Sequence, residues 1–175
     1  MTLTKNKYYF EALDNYPYNL PDCLEALNYA LSYDPEDADS LCLMGRIYSE
    51  MLSDYAKAKL YFEEAMQCDV TNLNVPQYHI SCLIDNEDYH EAEKLINYSL
   101  KIKGIDKAPL WFYRSLLSEK RGSFANALKF LDKTAKYCFT KYSLDVVKDR
   151  KKFIKSKMPK KKKIKRRQNK SPFVL

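Results

Sequence analysis

Glycine is nearly missing from this chain of 175 residues: only Gly45, Gly104 and Gly122 occur. So few, so far apart, cannot build a glycine-rich phosphate loop or a dinucleotide turn. Histidine is scarcer still. His79 and His90 stand eleven positions apart, with no cysteine or carboxylate at metal-ligand spacing. The five cysteines, Cys23, Cys42, Cys68, Cys82 and Cys138, are odd in number and never form C-x-x-C. They point to reduced thiols, mostly packed as small apolar residues, in a cytoplasm. No run of eighteen apolar residues occurs, which excludes a membrane-spanning helix. The opening stretch MTLTKNKYYFEALDNY lacks the apolar core and cleavage site of a secretory signal.

Catalytic constellations are missing too. YHEAE (89–93) begins like a zinc-protease motif but has no second histidine, so His90 reads as an inter-helix turn residue. His79 reads as a groove or packing residue rather than a base. Ser81 lies near His79 and next to Cys82, but neighbours on a helix point about 100° apart. The pairs Glu63–Glu64 and Glu91–Glu93 read as solvated helix faces. Cys42 and Cys82 are expected to be buried rather than reactive. The expectation is a protein that is not an enzyme, with no cofactor and no metal.

Low glycine, seven prolines and abundant Leu, Ala, Lys and Glu favour an all-α chain. The net charge of +7 is unevenly divided. Residues 1–147 carry 16 basic against 22 acidic side chains, a net −6; residues 148–175 carry 14 against one, a net +13. An acidic body is joined to a basic tail.

A sixteen-residue pattern comes round four times: PDCLEALNYALSYDPE (21–36), DYAKAKLYFEEAMQCD (54–69), DYHEAEKLINYSLKIK (88–103) and SFANALKFLDKTAKYC (123–138). In register, the small residues Cys23, Ala58, Ala92 and Ala127 are separated by 35, 34 and 35. Four positions on come Leu27, Phe62, Ile96 and Leu131, and seven on come Ala30, Ala65, Ser99 and Thr134. On a helix these offsets make one stripe, small then large then small, which a neighbouring helix must cover. Repetition means that each copy covers the next.

Each such helix follows a second apolar-periodic stretch, clearest in SLCLMGRIYSEML (40–52). The combination resembles the tetratricopeptide repeat, a helix–turn–helix of 34 residues. Leu41, Met44, Gly45 and Tyr48 match its W-x-x-L-G-x-x-Y element with Leu in place of Trp, and Ala58 and Phe62 match A-x-x-x-F. Ala65 supplies the later small position, Trp111 takes the tryptophan place in the last repeat, and Asp34-Pro35 ends the first copy. Departures are one extra residue between Tyr48 and Ala58, Pro76 at a tryptophan position, Gly104 where proline is expected, and a first helix near residues 4–15 only loosely in register. The resemblance implies a right-handed α-solenoid of about four repeats. A capping helix over about 141–157, with Leu144, Val147, Lys151 and Ile154 on one side, completes a domain of residues 1–157. Met158-Pro159 ends that helix and begins a separate tail, residues 158–175.

The resemblance also implies a concave groove lined by the first helices. Its register places Tyr8, Tyr9, Cys42, Arg46, Gln77, Tyr78, Ser81, Phe112, Tyr113 and Lys120 there, each aromatic being as apt to pack between repeats as to face a ligand. The expected use is a cradle for a partner's peptide or helix, since Tyr and Arg carry binding energy at interfaces. One subgroup of the family clamps a partner's terminal carboxylate with Lys and Asn; the matching positions here are Tyr8, Ala12, Leu43, Gln77 and Ser81, so that clamp is absent.

In the tail, Lys160, Lys161, Lys162, Lys163, Lys165, Arg166, Arg167 and Lys170 make eight basic residues in eleven. Such density opposes compact structure, so disorder is expected. Nucleic acid, a nuclear import signal, an anionic membrane surface, and folding back onto the acidic body all compete, with a general anionic contact ranked first. The reading is a non-enzymatic protein–protein adaptor or scaffold, cytoplasmic, or nuclear if the source is eukaryotic. The alternatives are a nucleic-acid-associated protein acting through its tail, and a chaperone for a secretion or assembly substrate. The sequence sets neither the partner nor the oligomeric state.

Overall fold

Short polar residues at the starts of the apolar-periodic segments act as helix caps. Asn6, Asp37, Asp54, Asp106 and Thr140 each accept a hydrogen bond from a backbone N–H two or three residues on, at 2.9–3.2 Å. Pro21 and Pro76 occupy first turns, where no backbone N–H is needed. The computed structural model describes residues 6–159. The described residues form α1 (Lys7–Asn15), α2 (Leu20–Tyr33), α3 (Ala38–Arg46), α4 (Tyr55–Cys68), α5 (Val75–Asp85), α6 (Tyr89–Ser99), α7 (Lys107–Lys120), α8 (Phe124–Tyr137) and α9 (Lys141–Lys157), and no strand. His90 lies in the first turn of α6, not in the preceding turn as the sequence suggested.

The helices pack as four sequential hairpins, α1–α2, α3–α4, α5–α6 and α7–α8, with α9 against α8. The repeated stripe faces inward: Cys23, Ala58, Ala92 and Ala127 are fully buried, as are Leu27, Phe62, Ile96 and Leu131. The third level, Ala30, Ala65, Ser99 and Thr134, is buried as well. Its two hydroxyls donate to carbonyls one turn back, Ser99 to Leu95 and Thr134 to Phe130, so no polar group is orphaned there. This is an all-α solenoid.

The extra residue between Tyr48 and Ala58 is absorbed in one place. The helix that begins as α3 widens over Ile47–Met51 into a π-helical turn, and the Leu52 N–H donates to the Ile47 carbonyl, five residues back. Just before it, Gly45 leaves room for the aromatic ring of α4. A Cβ there would lie 2.8 Å from two carbons of Phe62. Gly104 and Gly122 close turns at φ of +89° and +72°, which side chains resist.

α9 covers the open end of the last hairpin by burying Val147 and Ile154 against Ala127 and Leu131. Ion pairs fasten it: Lys151 to Asp132 at 2.6 Å, and both Arg150 and Lys157 to Glu119 of α7 at 2.6 Å. Burial pushes the Glu119 carboxyl up, but the hydrogen bonds from Lys157 and Arg150 outweigh it and hold the group below its ordinary range.

Candidate functional site

The first helices α1, α3, α5 and α7 bring together a row of side chains near their C-terminal ends. Lys120, Asp85, Glu50 and Tyr16 recur at separations of 35, 35 and 34. The Tyr16 hydroxyl donates to Glu50, and the Arg46 Nε donates to the same carboxylate at 3.1 Å. The Arg46 guanidinium is held between two rings, 4.7 Å from the Tyr16 centroid and 4.3 Å from the Tyr78 centroid. This packing fixes the guanidinium and the two rings relative to one another.

Electrostatics tie neighbouring groups into the same surface. Burial pushes the Tyr9 phenol up, with Cys42, Asp37, Arg46 and Tyr78 all contributing to its field. Tyr16 is pushed up to about 12 by burial and by its bond to Glu50. Burial raises Tyr113, while a hydrogen bond with the Ser81 side chain works against it. Asp85 is also raised by partial burial, with Lys120 lowering it and Glu50 adding to the rise. Burial pushes the Cys42 thiol to about 12, leaving no thiolate at neutral pH. Binding chemistry is present here: aromatic faces, one stacked guanidinium, hydroxyls and a mixed-charge rim.

The residues expected in the groove divide between places. Arg46, Tyr78, Ser81, Tyr113 and Lys120 join the row just described, with Tyr9 and Cys42 beside it. Tyr8 instead stacks on Tyr29 and Tyr33 of α2, at 5.3 and 5.8 Å. Gln77 lines a separate cavity of about 280 Å³ with Leu73, Ile105 and Leu110. Phe112 packs against the Ala127–Leu131–Val147–Ile154 cluster and also walls an apolar pocket of about 340 Å³ between α7 and α9. Lys160, Lys161, Lys162, Lys163, Lys165, Arg166, Arg167 and Lys170 lie outside the described residues. Sequence reasoning missed Tyr16, Glu50 and Asp85. The signal was available, because they fall at the register position that supplied Lys120.

His79 faces the core rather than the groove. It stacks on Phe62 at 5.4 Å, and neither ring nitrogen has a hydrogen-bond partner among the described residues. Burial, helped by Lys59, lowers it to about 4, so it is neutral at pH 7. Among the described residues no group of three or more His, Cys, Asp or Glu is placed to hold a metal ion, and no helix is long and apolar enough to cross a membrane.

No family model matches the chain. No curated protein matches it in sequence. Solved structures do match in shape. PilW, described as a widely conserved type IV pilus biogenesis factor, superposes with a TM-score of 0.71 at 17% identity, over 85% of this chain and 69% of its own. Pseudomonas aeruginosa PilF gives 0.70 at 17% identity, over 84% and 69%. TTC0263, a thermophilic tetratricopeptide-repeat protein of Thermus thermophilus, gives 0.70 at 13%, over 85% and 80%. This chain therefore has the tetratricopeptide-repeat fold, as its repeats implied.

Proposed function

We propose that the concave groove holds a segment of a partner protein and that the chain works as a non-enzymatic adaptor. The observation that carries this reading is the Tyr16–Arg46–Tyr78 stack with Glu50, a pre-ordered aromatic and guanidinium surface on neighbouring first helices. Tyr and Arg of this kind are enriched among residues that dominate binding energy, and rigid stacking lowers the entropy lost on association. Five unpaired thiols suit a reducing compartment such as the cytoplasm. The basic segment 158–175 is a separate unit in this reading.

Capture from a lysate of the source cells tests it. Tyr78→Ala, and Ser81→Arg, which fills the groove, should each lose the proteins that the unaltered chain retains, with helicity by circular dichroism preserved. Lys94→Ala, on the exposed face of α6, is the control and should retain them. Equal capture by all three variants removes the groove from the function.

A further inference from the structure

The groove has a second end, with different chemistry. There Pro109, Phe112 and Tyr113 of α7 face Tyr142 and Val146 of α9 around the 340 Å³ pocket. Tyr142 is 80% exposed and Val146 40%, large side chains that no described residue covers. Tyr113 belongs both to this pocket and to the Ser81 and Tyr78 surface, so the two ends are continuous.

α9 also fixes where the rest of the chain starts. Lys157 reaches Glu119 at 2.6 Å, which sets Met158 beside the C-terminal end of α7. That is the edge carrying Lys120, Asp85 and Glu50, where the ends of three helices also present partial negative charge. Asp85 is exposed and has no hydrogen-bond or ion-pair partner among the described residues. The chain that follows combines the two matching chemistries in order: eight basic residues within 160–170, then Pro172-Phe173-Val174-Leu175.

We infer that residues 160–175 of this chain occupy its own groove, basic side chains at Asp85 and Glu50 and Phe173 in the α7–α9 pocket. The inference rests on the groove reading above and adds its regulation: a partner must displace a tethered occupant. Distance permits it. From Met158 back to Val146 is about 18 Å along a helix, and the thirteen residues between Pro159 and Phe173 span about 20 Å at about 5–6 Å × √n. Other occupants fit less well. A second copy would bring a second +8 segment close to the first. A polyanion would meet Asp85 and Glu50 and leave the apolar pocket unused. A free basic peptide has the right chemistry but competes with an occupant at millimolar effective concentration.

Zero-length carbodiimide cross-linking of the full chain, read by mass spectrometry, tests this. Expected are links from lysines in 160–170 to Asp85, formed at a rate unchanged by tenfold dilution. Val146→Asp alters no lysine and not Asp85, yet should reduce those links several-fold by closing the apolar pocket to Phe173. Links whose rate falls with dilution would assign the segment to a second copy and overturn the inference. Links scattered equally over exposed acids such as Glu25, Glu36 and Glu64, or none at all, overturn it too. Neither result touches the groove reading, which stands or falls on partner capture by Tyr78→Ala and Ser81→Arg.

Discussion

Cys23, Ala58, Ala92 and Ala127 sit fully buried at one level of α2, α4, α6 and α8. The matched level of α1, α3, α5 and α7, at the same spacing, holds Ala12, Arg46, Ser81 and Leu116. The second helices repeat a residue class because each meets the same geometry, a neighbouring hairpin approaching closely enough to exclude water. In the first-helix row only Ala12 is fully buried, while Arg46, Ser81 and Leu116 are half-buried, so packing constrains this row less and the residues differ from repeat to repeat. Uniformity marks where the solenoid holds itself together; variety marks where it is free to meet something else.

The largest expected effect breaks the uniform side. Ala58→Leu and Ala92→Leu lie in separate core clusters, so their costs should nearly add. Each overpacks a close approach at about 1–3 kcal/mol, and the double variant should lose about 2–6 kcal/mol in urea unfolding. A midpoint unchanged in the double variant would mean that the stripe is not the packing seam.

That contrast explains what could be read before any coordinates. The repeat spacing carried the hairpins and the buried stripe, because burial acts on every copy alike. The capping helix was legible from its own apolar side at Leu144, Val147 and Ile154. It also flagged the extra residue before Ala58, without showing that a π-turn at Ile47–Met51 takes it up. Groove membership was only partly legible. Tyr8 and Gln77 hold register positions equivalent to Cys42 and Phe112, yet Tyr8 turns onto the rings of α2 and Gln77 onto a cavity beside Leu110. Which way such a side chain turns depends on local neighbours that spacing does not encode. Phe112 shows the same limit, since it serves the core and the pocket at once.

His79 sharpens the comparison from within, since it stands where α3 has Met44, on the packed side of a first helix. Its folded value of about 4 lies below the ordinary 6.5, so the unfolded chain binds the proton more readily. The neutral ring's contribution is therefore complete above pH 6.5 and is lost as pH falls toward 4. Over that window the loss is about 3 kcal/mol. His79→Met, which copies the α3 residue, should remove most of the slope of stability against pH between 6.5 and 5. An unaltered slope would show that the histidine is solvated in solution and not part of the packed side.

The smallest effect on stability belongs to the variable side, at Arg46. Its stack between Tyr16 and Tyr78 contributes about 0.5–1 kcal/mol per ring contact at partly exposed sites, and its pairing with Glu50 a few tenths more. Arg46→Lys keeps the charge and loses the planar fork that fits between two rings. Unfolding should therefore shift by only about 1 kcal/mol, well under the cost of the Ala58 and Ala92 double variant. Partner capture should nonetheless fall as far as with Arg46→Ala, because a lysine ammonium cannot hold the two tyrosines apart as one pre-ordered surface. The two measurements separate the roles. If Arg46→Lys destabilises as much as that double variant, the first helices are packed on their groove side as well. If it captures partner undiminished, charge alone serves the groove, and the ordered stack between Tyr16 and Tyr78 is incidental to binding.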